Sequence, residues 1–449
     1  MNDDFSRRMI SAVVFSLMVF SSGGWPPSAQ AADEKDAKPS IIRMIKERAS
    51  ADIRLLTYGV IQEPARSSQN PDNNFLQLPH YTADLELRPD VRLDGNILEL
   101  SAKPRAKLAL RIWEEGSLSG RTCWKDEWYV NEWMMRLKVR ENLLISYGRE
   151  NLQWGPSFLF SPSNPFFRDN GRSNPYMEVA GMDFSRLVWI PRNSWAMSLI
   201  VNTDEGRNKL IGPETFENTY ALKVDYMERE YYASVVFSRK AHKHTLGLFG
   251  GWTVSDAILL YGEGSFMQGS NALYPRNDGS YLGASMQKVH REDSGMKPII
   301  LIGTSYTLES SGTFSLEYVY NAEGYSREEA DIYYELRRKG AMAFNMQEMA
   351  GVLGKMTLWQ TIDPGLRLLR KNFAMLQYTQ SNIVNKIDLT VRWTQNFDDG
   401  SGQFLSLLSC SLGDHLELFS SGMVHAGGQN TEFGSIMNYQ FMFGIKYTF

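Results

Sequence analysis

The chain of 449 residues has only two cysteines, Cys123 and Cys410, and six histidines. A disulfide-dense scaffold is therefore excluded, and two distant thiols among scattered histidines form no metal-ligand pattern, so neither a metal nor another cofactor is expected. A single bridge between the two cysteines stays open, because sequence does not bring their Cα atoms within the about 4.4–6.8 Å that a disulfide needs. The formal net charge is −4, without the basic excess of a nucleic-acid binder. Beyond residue 31 no run of eighteen apolar residues occurs, so no helix is expected to cross a membrane. The G-x-S-x-G elbow, the H-E-x-x-H pair and the phosphate-binding P-loop are all missing, and the chain is read as a non-enzyme. A lipase or protease site assembled from separate strands would leave no linear trace, and that alternative stays open. His242 and His244 flank Lys243 where a tight turn is expected and are read as solvated.

What is present points to strands. From Ile436 to Phe449 the chain alternates: Met437, Tyr439, Phe441, Phe443, Ile445, Tyr447 and Phe449 lie on one face, with mostly polar or small residues on the other. Such a segment is longer than the 5–6 residues usual in soluble strands and matches the roughly 9–11 that cross a bilayer when tilted. An amino-terminal segment with Arg7 and Arg8, an apolar run over 9–20, a Gly-Gly-Trp-Pro-Pro break and Ala29-Gln30-Ala31 reads as a secretory signal peptide over 1–31. Residues 32–50 read as a charged, weakly helical periplasmic segment, and 51–449 as one transmembrane β-barrel rich in glycine and aromatic residues.

Candidate strands cover 51–61, 80–93, 97–113, 126–140, 143–149, 178–190, 195–202, 217–227, 231–240, 244–253, 257–267, 280–289, 297–307, 313–321, 367–380, 386–396, 403–411, 415–424 and 436–449. Short breaks such as 94–96, 141–142, 191–194 and 412–414 read as periplasmic turns. The long ones, 62–79, 150–177, 203–216, 322–366 and 425–435, read as outer loops. Counting from the two ends gives directions that clash between 217 and 307. A bacterial single-chain barrel has an even strand number, so one segment there is false or one is missed; the expectation is eighteen strands, with sixteen or twenty as neighbours. Within 322–366, Ser326 followed by Glu329 reads as a capping box, with Ile332, Tyr333 and Leu336 at helical spacing, which makes this an outer loop with helices.

Alternation assigns Arg88, Arg92, Arg105, Lys107, Arg111, Arg136, Lys138 and Arg140 to the lumen, because a charge facing lipid costs about 2–4 kcal/mol at the midplane. These residues either pair with acids on neighbouring strands and stiffen the wall, or focus a positive potential on passing anions. Loop 150–177, with Trp154, Phe158, Phe166, Arg168, Asp169 and Arg172, has too many aromatics for a free outer loop. It either folds into the barrel as a constriction or lies on the rim or in a subunit contact.

Gly148-Arg149-Glu150-Asn151-Leu152-Gln153-Trp154-Gly155 resembles the strand-then-loop segment of porin-like Gram-negative outer-membrane barrels, including the alginate-export type. The end Tyr447-Thr448-Phe449 is similar to the terminal signal read by the barrel-assembly machinery. The resemblance implies an outer-membrane channel for small, anionic or saccharide-like solutes, in contact with membrane lipid and lipopolysaccharide and able to form a homo-oligomer. The alternative is a plugged barrel acting as a surface adhesin or polysaccharide anchor.

Overall fold

The computed structural model describes residues 48–167, 169–208, 216–288, 295–346 and 348–449. The segments expected to be the signal peptide and most of the periplasmic stretch, and Arg168 of the loop, lie outside the described residues. Strands are β1 Ala49–Pro64, β2 Tyr81–Asp94, β3 Leu98–Ile112, β4 Thr122–Arg140, β5 Leu143–Glu150, β6 Met182–Arg192, β7 Trp195–Asp204, β8 Thr219–Met227, β9 Tyr231–Lys240 and β10 Lys243–Ser255. They continue as β11 Ile258–Gln268, β12 Leu273–Asn277, β13 Ala284–Lys288, β14 Met296–Thr307, β15 Thr313–Asn321, β16 Asn372–Ile383, β17 Ile387–Asn396, β18 Gly402–Ser411, β19 Leu416–Ala426 and β20 Met437–Thr448. Eighteen of them form one antiparallel barrel in which each strand pairs with the next, β11 pairs with β14, and β20 closes on β1.

Segment 280–289 is the false strand. Among its described residues only Ala284–Lys288 is extended, and it pairs with β12 in a small hairpin separate from the barrel sheet, which removes the clash in strand direction. One end of the barrel carries turns of two to five residues, such as 141–142 and 308–312; the other carries the long loops. Among the described connections at the loop end, only 241–242 and 397–401 are that short.

The two faces of each strand separate as alternation requires. Outward residues form an exposed apolar belt with aromatic rows at its margins: Trp195, Tyr231, Trp252 and Tyr306 at the turn end, Tyr220, Phe237, Tyr320 and Trp393 at the loop end. An apolar belt between aromatic rows is the surface that lipid covers. In β20, Phe443, Ile445 and Tyr447 face outward while Met442 is buried inside. In β4 the bulge at Asn131, opposite Lys103 and Pro104, shifts the outward set from Trp124, Trp128 and Val130 to Met135, Leu137 and Val139.

Loop 322–371 holds helices α1 Arg327–Phe344 and α2 Glu348–Ile362. The capping box forms as expected: Ser326 accepts from the Glu329 amide and Glu329 reaches back to the Ser326 amide. Helix α1 buries Tyr333, Leu336 and Ala343 against Tyr274, Leu282 and Met286 of the small hairpin. Phe75 from loop 65–80 meets Phe344 and Trp359 edge-on at 5.8 and 5.1 Å.

Cys123 and Cys410 are free thiols. Cys123 lies in β4 beside Arg111 at the loop end and Cys410 near the turn end of β18, so the bridge left open by the sequence does not form.

Candidate functional site

The residues between β5 and β6 leave the rim and touch inward-facing side chains around the barrel. Two buried glutamates receive the loop. Glu317 of β15 accepts the amides of Phe158 (2.7 Å) and Leu159 (3.2 Å), the Ser157 hydroxyl (3.3 Å) and the Tyr261 hydroxyl (3.0 Å). Glu263 of β11 accepts the Ser163 amide (3.1 Å), the Ser163 hydroxyl (2.7 Å) and the Ser161 hydroxyl. Hydrogen bonds to charged groups contribute about 1.5–3 kcal/mol each, so the glutamates act as paired anchors.

Aromatic packing completes this side. Phe160 sits in a cluster with Tyr261, Ile299, Leu301, Val319 and Phe373. Phe166 and Phe167 pack on Phe184, Ile200, Ala221 and Val236, with Phe166 and Phe184 rings 4.9 Å apart. Two glycines admit the close approach. Gly155 has φ +85°, and a Cβ there would collide with the Glu263 carboxylate; at Gly247 a Cβ would meet the Ser163 carbonyl oxygen at 2.8 Å.

The loop then continues past β17 and β19 to β3 on the far side. Ser173 accepts from the buried Arg392 guanidinium of β17 (3.2 Å). Tyr176 stacks on Phe419 of β19 at 3.8 Å and donates to Glu417 (2.8 Å). Glu178 receives Arg105 of β3 through both carboxylate oxygens, at 2.7 and 2.6 Å. Arg172 closes the loop on itself, donating to the carbonyls of Gly155, Pro156 and Ser157 and lying over the Phe158 ring at 5.5 Å. Asp169 caps its own turn by accepting the Gly171 amide at 2.8 Å. Trp154 is edge-on to Phe166 at 5.8 Å and lies beside Lys223 at 5.6 Å.

The wall of β1 to β4 follows the pairing alternative rather than a bare basic stripe. Its cations interleave with acids. Arg105 pairs with Asp90 (2.8 Å) and Glu178; Lys107 with Asp84 (2.7 Å) and Glu86 (2.8 Å); Arg88 with Glu86. Arg92 meets Glu99 (3.0 Å) and Asp94 (3.3 Å), Arg136 meets Glu99 (3.2 Å), and Lys138 meets Asp94 (3.0 Å). Of the eight cations assigned to the lumen, Arg111 and Arg140 have no ion pair among the described residues. Which acid meets which cation was not legible, because most pairs cross strands in a register the sequence does not display: Asp84 and Lys107 belong to adjacent strands, and Glu178 comes from the loop.

Cations that sequence reasoning missed gather elsewhere. A recess of about 180 Å³ at the loop end is lined by Lys240, Lys243, Lys297 and Arg367 with Glu205, Glu217 and Glu323. Burial holds the Glu323 carboxyl above the usual carboxylate range, with Arg367 acting against that rise. Toward the turn end a second recess, of about 550 Å³, is lined by Trp154, Gly155, Lys223, Asp225, Tyr232 and Phe249 among others. Loop residues thus border both recesses, Pro162 to Phe166 the first and Trp154 and Gly155 the second. Tyr447 and Phe449, assigned to assembly, end the closing strand with their rings 4.9 Å apart and the Phe449 amide bonded to the Ile53 carbonyl (3.0 Å). Among the described residues no cluster of His, Cys, Asp and Glu could hold a metal ion.

No protein-family model matches the chain, and no curated protein matches its sequence. Solved structures do match in fold. The chain is similar to OccAB1 of Acinetobacter baumannii (9% identity, TM-score 0.54, covering 90% of this chain and 97% of that one) and to OpdL of Pseudomonas aeruginosa (11%, 0.54, 90% and 99%). It is also similar to the outer membrane protein OprD from Pseudomonas aeruginosa (10%, 0.52, 90% and 94%). At such identities the likeness is one of architecture: this chain has the closed eighteen-strand barrel of those outer-membrane proteins.

Proposed function

We propose that this protein is an outer-membrane channel through which small solutes, anionic or saccharide-like, diffuse past the infolded loop, with residues 1–31 serving as its secretion signal. The observation that carries this reading is loop 151–181 crossing the lumen, held by Glu263 and Glu317 on one side and by Arg105 on the other, with recesses above and below it. A loop with no passage to narrow would need no such anchorage. The loop end faces outward and Phe449 ends in the periplasm, the orientation in which long loops are external.

Selectivity in this reading comes from Lys240, Lys243, Lys297 and Arg367 around the outer recess, which outnumber Glu205, Glu217 and Glu323 of the same lining. A local excess of one charge sign raises the concentration of the opposite ion at a pore mouth. The finer tie to alginate-export barrels rests on the Gly148 to Gly155 segment, in which Gly155 supplies the close approach to Glu263. Liposome swelling with a panel of anionic, neutral and cationic sugars tests the function. Faster swelling with the anionic members supports it. No swelling with any solute would contradict it and favour the plugged adhesin or polysaccharide anchor.

A further inference from the structure

The tip of the β9–β10 hairpin reads Arg239-Lys240-Ala241-His242-Lys243-His244, five basic residues in six positions. Strand register divides them. Lys240 and Lys243 point inward and line the outer recess, whereas Arg239 and His244 are a cross-strand pair on the outward face, and Tyr220 of β8 is the next partner of Arg239. Tyr220, Arg239 and His244 therefore form a row of three exposed donors across three adjacent strands, spanning roughly 10 Å at about 4.8 Å per strand.

Height is the second observation. Tyr231 lies in the turn-end aromatic row and Arg239 is eight residues further along the same strand. At about 3.3 Å per residue and a tilt near 40°, that is roughly 20 Å, close to the roughly 25 Å height of an apolar belt. The turn above has only two residues, so no loop lifts the cations away from this level. Directly beneath them the surface is apolar, with Phe237 53% and Leu248 37% exposed.

Pairing is the third. Arg149, another outward arginine at this end, is neutralised by Asp183 at 2.7 and 3.2 Å. Arg239 and His244 have no acidic partner among the described residues, and the Arg239 Nε reaches only the Ala241 carbonyl (3.1 Å). A cation at the lipid boundary without a protein anion is placed to meet an anion of the lipid.

We infer that Tyr220, Arg239 and His244 form a docking site for the phosphate groups of the outer-leaflet glycolipid, lipopolysaccharide, whose acyl chains lie along Phe237 and Leu248 below. Phosphate suits this row because it accepts several hydrogen bonds and carries the charge that Arg239 lacks within the protein. The inference rests on the outer-membrane placement proposed above but not on conduction, since these side chains face away from the lumen.

The test uses full-length protein in detergent, titrated with lipopolysaccharide and with the same lipopolysaccharide after phosphatase treatment, binding being read by native mass spectrometry. Wild type should prefer the phosphorylated form by roughly fivefold or more, the contribution of one cation near an anionic lipid surface. R239A/H244A should lose that preference, with heat-modifiable mobility confirming a folded barrel, while K240A, altered toward the recess, should keep it. Equal binding of both lipid forms by wild type, or a preserved preference in folded R239A/H244A, would overturn the site. Failure of the channel reading would show separately, as absence of current from both wild type and R239A/H244A.

Discussion

Two walls of the same barrel are built on opposite uses of charge. From β1 to β4, carboxylates and cations alternate until nearly every charge has a partner of the wall's own, as in Asp84, Glu86, Arg88 and Lys107. From β11 to β17, few charges face the lumen, and two of them, Glu263 and Glu317, accept amides and hydroxyls of the loop. The first arrangement stiffens a wall. The second holds the infolded loop. The comparison teaches that a run of lumen-facing charge says little about selectivity until its partners are known, because a paired ion projects a weak field while still contributing to rigidity.

The largest expected effect comes from breaking the second wall. Glu263→Ala with Glu317→Ala leaves the loop amides of Phe158, Leu159 and Ser163 without acceptors, and the loop should leave the lumen, raising conductance severalfold. Gly155→Val should act in the same direction, since a side chain there collides with Glu263 from a backbone conformation that valine disfavours. Deleting 156–174 gives the limiting case, and single-channel recordings check all three.

Breaking the first wall should cost stability instead. Arg105→Ala strands Glu178 and leaves Asp90 with Arg54 alone, and removing one partner of a buried pair typically costs about 3–5 kcal/mol. Urea unfolding in lipid vesicles should show that loss. Replacing Arg105, Arg111, Arg136 and Arg140 together should shift the anion to cation ratio less than replacing Lys240 and Lys297, as reversal potentials would show. The reverse ranking would restore the wall to the selectivity role that its sequence suggests.

A smaller effect sits above both walls. Glu432, in loop 427–436, accepts the Leu369 amide (2.7 Å) and the Asn396 side chain (2.9 Å), and so ties the end of the helical loop to its neighbours. Burial pushes its carboxyl up to about 8, and nearby Asp399 adds to the rise. A group raised from about 4.5 to about 8 contributes stability that is complete below the lower value and lost as pH rises through the upper one. Protease sensitivity of the helical loop should therefore increase between pH 7 and about 9, and Glu432→Gln should abolish the pH dependence.

Much of the fold was legible because lipid enforces a simple code. The period of two in Ile436–Phe449, the tight turn at 141–142 and the capping box at Ser326 are local signals, and each formed as read. The false strand at 280–289 arose because a short hairpin packed on a helix shows the same alternation as a barrel strand, over fewer residues. The infolding of the loop was visible as one of two readings, from aromatics that water would not tolerate. Its anchors were not. Glu263 and Glu317 lie 100 and about 159 residues from the amides they accept, and a single glutamate on a strand carries no mark of its partner. The neutralised wall was likewise one of two readings, and its particular pairs were not legible for the same reason: pairing across strands depends on register, and register is set by the whole barrel.

The central claim is that loop 151–181, pinned inside the lumen by Glu263 and Glu317, sets the size of an open passage. Single-channel conductance in planar bilayers, wild type against the Glu263→Ala, Glu317→Ala double variant, tests it most directly. A small steady wild-type conductance that rises severalfold in the folded double variant is the expected result. No steady current from either protein, or equal conductance from both, would contradict it.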